Sequence, residues 1–311
     1  MQPSFYSSKM IIKIINLLSL AVILAVIGFL AIKTGDKNPD WDAYTIAYES
    51  ALLGFEPIYN LLLYISKTLL NLDYSSFFFL QVFINLMLIS YLIGKPLAAL
   101  LGCVSLFFYI ETNVGVQLRW GLAATASLVT LYSTSRRTAG LVGLGAVLVH
   151  FFALIPVTFV ILIRCFERSL SKNLSIILST CVALLLMNYF SSIIYLFIPS
   201  DVRYLEYLDS EFSSYKSISS TLYIFAMFVM EVLMLNVSTA STMERRSIVM
   251  IIYLRIVQIA SLSFAVISGR LLLYSTLLEV LVIKSQLTGK NRTLLLVYVL
   301  LSSAKIVALI Q

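Results

Sequence analysis

The sequence predicts an all-α fold, a polytopic helical integral membrane protein, and three observations carry that reading. Hydrophobic residues fill 60% of the 311 positions, charged residues only 12%, and mean hydropathy is +0.97, far outside the composition of soluble globular chains. Apolar runs recur along the whole chain with short polar interruptions, and about 20 residues are what a helix needs to cross ~30 Å of hydrocarbon. Basic residues gather in some connectors and acidic ones in others, the sorting that a membrane imposes on alternate loops. The expectation is about 9–11 membrane helices, counting re-entrant and half-helices, in a single transmembrane domain over 1–311.

Taken in order, the apolar runs lie near 11–33, 57–71, 75–94, 97–110, 118–132, 139–163, 174–199, 219–238, 247–267, 270–284 and 293–310. The first is too long for a signal-peptide core and ends in "AIKTG" rather than a small-x-small cleavage site, so it is expected to remain as a helix. No repeat of fixed period runs through the chain. Cys103, Cys165 and Cys181 are scattered in or beside apolar runs, which indicates packing rather than a metal site or a disulfide framework.

Charge sets the orientation. Lys9 and Lys13, then Arg136 and Arg137, then Arg164, Arg168 and Lys172, then Arg245 and Arg246, then Lys284, Lys290 and Arg292 mark cytoplasmic connectors. The longest interruptions, 34–56 and 200–218, are acidic, with Asp36, Asp40, Asp42, Glu49 and Glu56 in one and Asp201, Glu206, Asp209 and Glu211 in the other. Both are expected as extracytoplasmic loops. For the sides to agree, two runs must not cross. Segment 57–71 is short and carries Lys67, so it reads as an amphipathic or re-entrant helix on the outer side. Segment 139–163 has basic connectors at both ends and reads as a hairpin of half-helices meeting near His150 and broken by Pro156. About nine full crossings then remain, with the C-terminus outside. The net charge of +7 is explained by this sorting, and nucleic acid is not an expected partner.

Ionisable residues at membrane depth are costly unless they face protein or water. In this topology Asp40, Asp42, Arg119, Arg203 and Arg270 reach the outer face, and His150, the only histidine, points to it from the hairpin tip. A lone Arg at a helix end can snorkel to headgroups, and a lone His can satisfy a backbone carbonyl. The acids and aromatics between Asn38 and Asn60 can form an interfacial belt, or hold sugars by hydroxyl hydrogen bonds and ring stacking. Imidazole suits acid–base work near neutrality. Glu231, Arg255 and Glu279 stand on three separate runs at similar depth and are expected to pair, while Lys305 is expected to snorkel.

The order "DWDAYTIAY", "GFEPIY", "LRWGLA", "VLVHFFAL", "RYLEY" and "SGRLLLY" resembles the EpsG-like branch of the Wzy-type polysaccharide (O-antigen) polymerases, over most of the chain. Trp120 and Phe151 stand where the family often has Gln and a small or polar residue. The resemblance implies a metal-independent glycosyltransferase without cofactor, multi-pass in the bacterial inner membrane, with its site facing the periplasm or exterior. It implies transfer of a growing glycan from one undecaprenyl diphosphate carrier onto the next carrier-linked repeat unit. The implied partners are the undecaprenyl-diphosphate-linked oligosaccharide, the lipid bilayer, a chain-length regulator and a flippase. On this reading His150, Asp40 and Asp42 are the catalytic candidates, and Arg119, Arg270 and Arg203 hold diphosphate. Trp41, Tyr44, Tyr48, Glu56, Tyr204 and Tyr274 hold sugar. A lipid-linked oligosaccharide transporter or an O-antigen ligase would share the hydropathy. A transporter would place its charges nearer the bilayer midplane, and a ligase would transfer once instead of building a ladder.

Overall fold

A computed structural model describes residues 5–50, 55–166, 218–237, 242–260, 265–287 and 291–305, and among them every regular element is a helix. They fall into two compact units, Met1–Val160 and Ile161–Gln311. The expected segment 174–199, residues 200–217 of the second acidic loop, and Arg203 and Tyr204 within it lie outside the described residues.

The first unit begins with α1 (Phe5–Ala31). Leu20, Leu24, Ile27 and Ala31 recur at helical spacing and are buried, where the helix meets α4 (Tyr74–Ile93), α5 (Pro96–Leu101) and α6 (Cys103–Tyr109). Its other face exposes Ile11, Leu18, Val22, Val26 and Phe29, the last at 87%. Water would not tolerate so continuous an apolar face, and hydrocarbon does. The stretch Met10–Ala31 and α4 are long and apolar enough to cross a bilayer. Helix α4 has clean ends. The Asp73 carboxylate accepts from the Ser76 N–H at 2.8 Å, and Gly94 closes the helix in the left-handed conformation (φ 59°).

Between them, α2 (Trp41–Ser50) and α3 (Pro57–Tyr64) form a short cap. Helix α3 continues as a π-helix over Ile65–Leu69, and together they reach less than about 20 Å, too short to cross. Lys67 Nζ donates to the carbonyls of Tyr48 and Glu49, and the Tyr48 hydroxyl donates to the Leu72 carbonyl at 2.8 Å. These bonds tie the non-crossing segment to α2.

The expected run 97–110 is longer in the structure. Helices α5 and α6 break at Gly102, and a π-helix over Ile110–Val116 extends the run to α7 (Leu118–Tyr132). A Cβ on Gly121 would fall 1.8 Å from the Asn113 carbonyl oxygen, so only glycine lets the π segment lie against the start of α7.

The expected hairpin is present, with a correction to its breaker. Helix α8 (Arg136–Val149) ends at His150, which is extended (φ −154°, ψ 117°) and followed by a 3-10 turn, Phe151–Ala153, and α9 (Leu154–Phe166). Pro156 lies in the first turn of α9, where a missing N–H breaks no helical bond. A Cβ on Gly143 would lie 3.2 Å from Val157. Both residues are the same number of positions from His150, the mark of two antiparallel half-helices folded about that tip.

The second unit contains α10 (Ile218–Val237), α11 (Thr242–Ala260), α12 (Ala265–Gln286) and α13 (Arg292–Ser303). Because α11 ends at Ala260 and α12 begins at Ala265, the boundary expected after residue 267 falls earlier, and Arg270 sits within the second turn of α12. The four helices share a fully buried ionic cluster. Arg255 donates to Glu231 at 3.3 Å, to Glu279 at 2.6 Å, and to Gln258 and Ser275 at 2.9 Å each. Tyr223 bonds to Glu279 and Tyr298 to Glu231. Lys305, expected to snorkel, is instead fully buried and bonded to Glu279. An apolar sequence around a lysine does not reveal which side of its helix faces protein. Here a carboxylate inside the unit satisfies the ammonium better than a long reach to headgroups would.

Candidate functional site

The site lies where the C-terminal end of α1, the start of α4, the π segment, the start of α7 and the α8–α9 tip meet. Local bonds fix the loop after α1. Lys33 pairs with Glu111 at 2.5 Å, and the Asn38 amide donates to the carbonyls of Lys33 and Gly115. The Asp40 N–H then donates to the Asn38 side chain, starting α2. Trp41 packs edge-on against Tyr74 (ring centroids 4.8 Å) and tilted against Phe78 (5.0 Å), and Tyr48 stacks on Phe77 (5.1 Å). Helix α2 is thereby glued to the start of α4.

With α2 so held, Tyr44 meets Arg119 at the start of α7. The Arg119 Nε donates to the Tyr44 hydroxyl oxygen at 3.4 Å, and Nη1 donates to Glu56 Oε2 at 2.5 Å. The guanidinium carbon lies 4.2 Å from the Phe55 ring centroid, 5.8 Å from Tyr59 and 6.0 Å from Tyr44. An aromatic box of this kind holds a cation by ring electrostatics, about 0.5–2 kcal/mol per contact, without neutralising it. Burial pushes the Tyr44 phenol above its ordinary value against the lowering pull of Arg119, and Asp40 adds to the rise. The phenol therefore stays protonated at neutral pH.

The third member comes from the hairpin tip. His150 Nδ1 accepts from the Phe152 N–H at 3.2 Å and lies 4.0 Å from Glu56 Oε1. That oxygen accepts from the Phe151 N–H at 3.2 Å. With Nδ1 accepting, a neutral ring carries its proton on Nε2. Trp120 packs edge-on against both His150 (5.6 Å) and Phe152 (5.2 Å). Glu56, Arg119 and His150 keep 15%, 17% and 8% of their side-chain surface, so the cluster is sheltered without being fully buried.

The structure thus brings Tyr44, Glu56, Arg119 and His150 together from four separate elements. Asp40 stands just before α2, close enough to act on Tyr44, and Asp42 is exposed in its first turn. Trp41 and Tyr48 turn their rings to α4. Arg270 and the fully buried Tyr274 belong to α12 of the second unit. Phe55, Tyr59, Trp120 and Phe152 were not singled out from the sequence as site residues. Phe55 and Tyr59 flank Glu56 within "GFEPIY", and that aromatic bracket around an acid was the available signal.

The EpsG family profile matches residues 14–310, nearly the whole chain. No curated protein and no solved structure matches it. Placed beside an all-helical fold with outward apolar faces, the match shows that this chain belongs to the EpsG family, membrane proteins of the polysaccharide-polymerase type.

Proposed function

We propose that the protein is a glycan polymerase at the outer face of the bacterial cytoplasmic membrane, moving a growing chain from undecaprenyl diphosphate onto a carrier-linked repeat unit. The observation that carries the reading is the meeting of Arg119, Glu56 and His150, which supplies a cation, a proton acceptor and a proton donor in one sheltered place.

The chemistry asks for each. As the acceptor hydroxyl oxygen bonds to the anomeric carbon of the donor sugar, the bond from that carbon to the diphosphate oxygen breaks and its electron pair stays with the diphosphate. Arg119 meets the growing charge with planar donors that match phosphate oxygens. Its aromatic box holds the guanidinium in place before substrate arrives, so little reorganisation is needed during reaction. The acceptor hydroxyl loses its proton to a base. Of the sequence's candidates His150, Asp40 and Asp42, His150 Nδ1 already accepts the Phe152 N–H, and we assign the base role instead to Glu56, whose carboxylate lies between Arg119 and the hairpin tip. We assign the imidazole Nε2–H the role of orienting a sugar or phosphate oxygen of the bound substrate. The Tyr44 hydroxyl, still protonated, is a further donor to substrate. The family resemblance also implies diphosphate binding by Arg203 and Arg270.

The test is the purified chain in nanodiscs supplied with a labelled lipid-linked repeat unit. A ladder of lengths is the expected product. A single transfer would make it a ligase, and translocation without lengthening a transporter; either would contradict the proposal.

A further inference from the structure

We propose that Glu56 occupies Arg119 as an internal stand-in for phosphate, and that diphosphate binding displaces its carboxylate toward His150, making Glu56 a proton acceptor only when the site is loaded. This rests on the reading of Arg119 as the diphosphate grip.

The placement of Glu56 carries the inference. It stands at the N-cap of α3, a position whose side chain usually closes its own helix, but it makes no such cap and reaches instead to α7 and the hairpin tip. Its backbone is extended (φ −65°, ψ 152°) and followed by Pro57, whose ring restricts the preceding residue. The side chain is therefore the part that can move. One oxygen is already anchored on the tip by the Phe151 N–H, 4.0 Å from His150 Nδ1, while the other holds Arg119. Leaving Arg119 requires rotation of one side chain about an existing anchor.

A carboxylate and a phosphate oxygen seek the same in-plane N–H groups of a guanidinium, and Phe55 covers one face of this one. The arriving diphosphate therefore competes with Glu56 for the edge. While Glu56 holds Arg119, its Oε2 is engaged on the guanidinium; once displaced, with Oε1 staying on the Phe151 N–H, that oxygen is turned to the acceptor hydroxyl. In the loaded site it takes the acceptor hydroxyl proton as the glycosidic bond forms and the diphosphate departs with the bonding pair, held by Arg119. In the empty site the same oxygen is held by Arg119.

The exchange predicts opposite effects of one substitution on binding and on turnover. Full-length chain in nanodiscs is titrated with inorganic diphosphate and, separately, assayed for chain lengthening. Glu56→Gln removes the internal competitor and is expected to bind diphosphate about 10-fold more tightly than wild type, while lengthening falls about 100-fold or more. Glu56→Asp, shorter by one methylene, repeats the binding comparison should the Gln variant fold poorly, and is also expected to bind more tightly. Arg119→Ala is expected to lose diphosphate binding. Equal or weaker binding by both Glu56 variants, with Arg119→Ala still defective, would overturn the exchange and leave the role of Arg119 standing. Undiminished binding by Arg119→Ala would overturn the role of Arg119 itself.

Discussion

Replacing Arg255 by Met tests what holds the second unit together. The guanidinium is fully buried and donates four side-chain hydrogen bonds, two of them to the carboxylates of Glu231 and Glu279 on neighbouring helices. Its removal leaves Glu231 with the Tyr298 hydroxyl and no cation among the bonds described, while Glu279 keeps Lys305 and Tyr223. Stranding a buried charge costs about 3–5 kcal/mol, so Arg255→Met is expected to unfold at markedly lower temperature or denaturant in detergent or nanodiscs. Lys305→Met leaves Glu279 its Arg255 contact and is expected to cost less, about 1–3 kcal/mol. Removing Arg255 and Glu231 together leaves the Glu279–Lys305 pair balanced and should recover most of the loss, which a double-mutant cycle reads directly. The reasoning is refuted if Arg255→Met unfolds within about 0.5 kcal/mol of wild type, or if the double replacement is worse than the single one.

Three further predictions concern the first unit. Gly121→Ala is expected to abolish accumulation of folded protein, since its Cβ would meet the Asn113 carbonyl at 1.8 Å, whereas Gly140→Ala and Gly145→Ala, with nothing within 4 Å, should be recovered normally on size-exclusion chromatography. His150→Asn keeps an acceptor for the Phe152 N–H but lacks the Nε2–H, so turnover per folded molecule is expected to fall about 100-fold at unchanged melting temperature; parallel losses of stability and activity would instead mark a structural histidine. Asp73 is held below the usual carboxylate range by its hydrogen bonds from Ser76. Its capping contribution is therefore complete above the ordinary carboxylate pKa and disappears as pH falls through the lowered one. Asp73→Ala should be less stable than wild type near neutrality and converge on it in acid, and a difference that persists at low pH would contradict the capping role.

The site was legible to the extent that its members are expensive. Glu56, Arg119 and His150 are polar exceptions in an apolar chain, and because lipid penalises such residues, sorting connectors by charge was enough to send them towards the same side. The hairpin tip at His150 followed from basic residues at both ends of one apolar run. What the sequence concealed depends on facing rather than composition. Phe55 and Tyr59 are two among 19 Phe and 18 Tyr, and nothing local says that their rings enclose a guanidinium far along the chain. Lys305 was misplaced for the same reason, since hydropathy reports depth but not which neighbour a side chain turns to. Pro156 was taken for a helix breaker because its register in the first turn of α9 can be known only once the helix start is known.

The account stands most directly on Arg119, and the decisive measurement is chain lengthening by Arg119→Ala in nanodiscs with lipid-linked repeat units, at matched amounts of folded protein. Loss of a charge-assisted contact that is strongest as the diphosphate departs costs about 2–4 kcal/mol, or roughly 30-fold to 1000-fold in rate. Single repeat units should therefore remain on the carrier, and Arg119→Lys should rescue poorly, because an ammonium cannot reproduce the planar fork. A full ladder of products from Arg119→Ala at the wild-type rate would contradict the account.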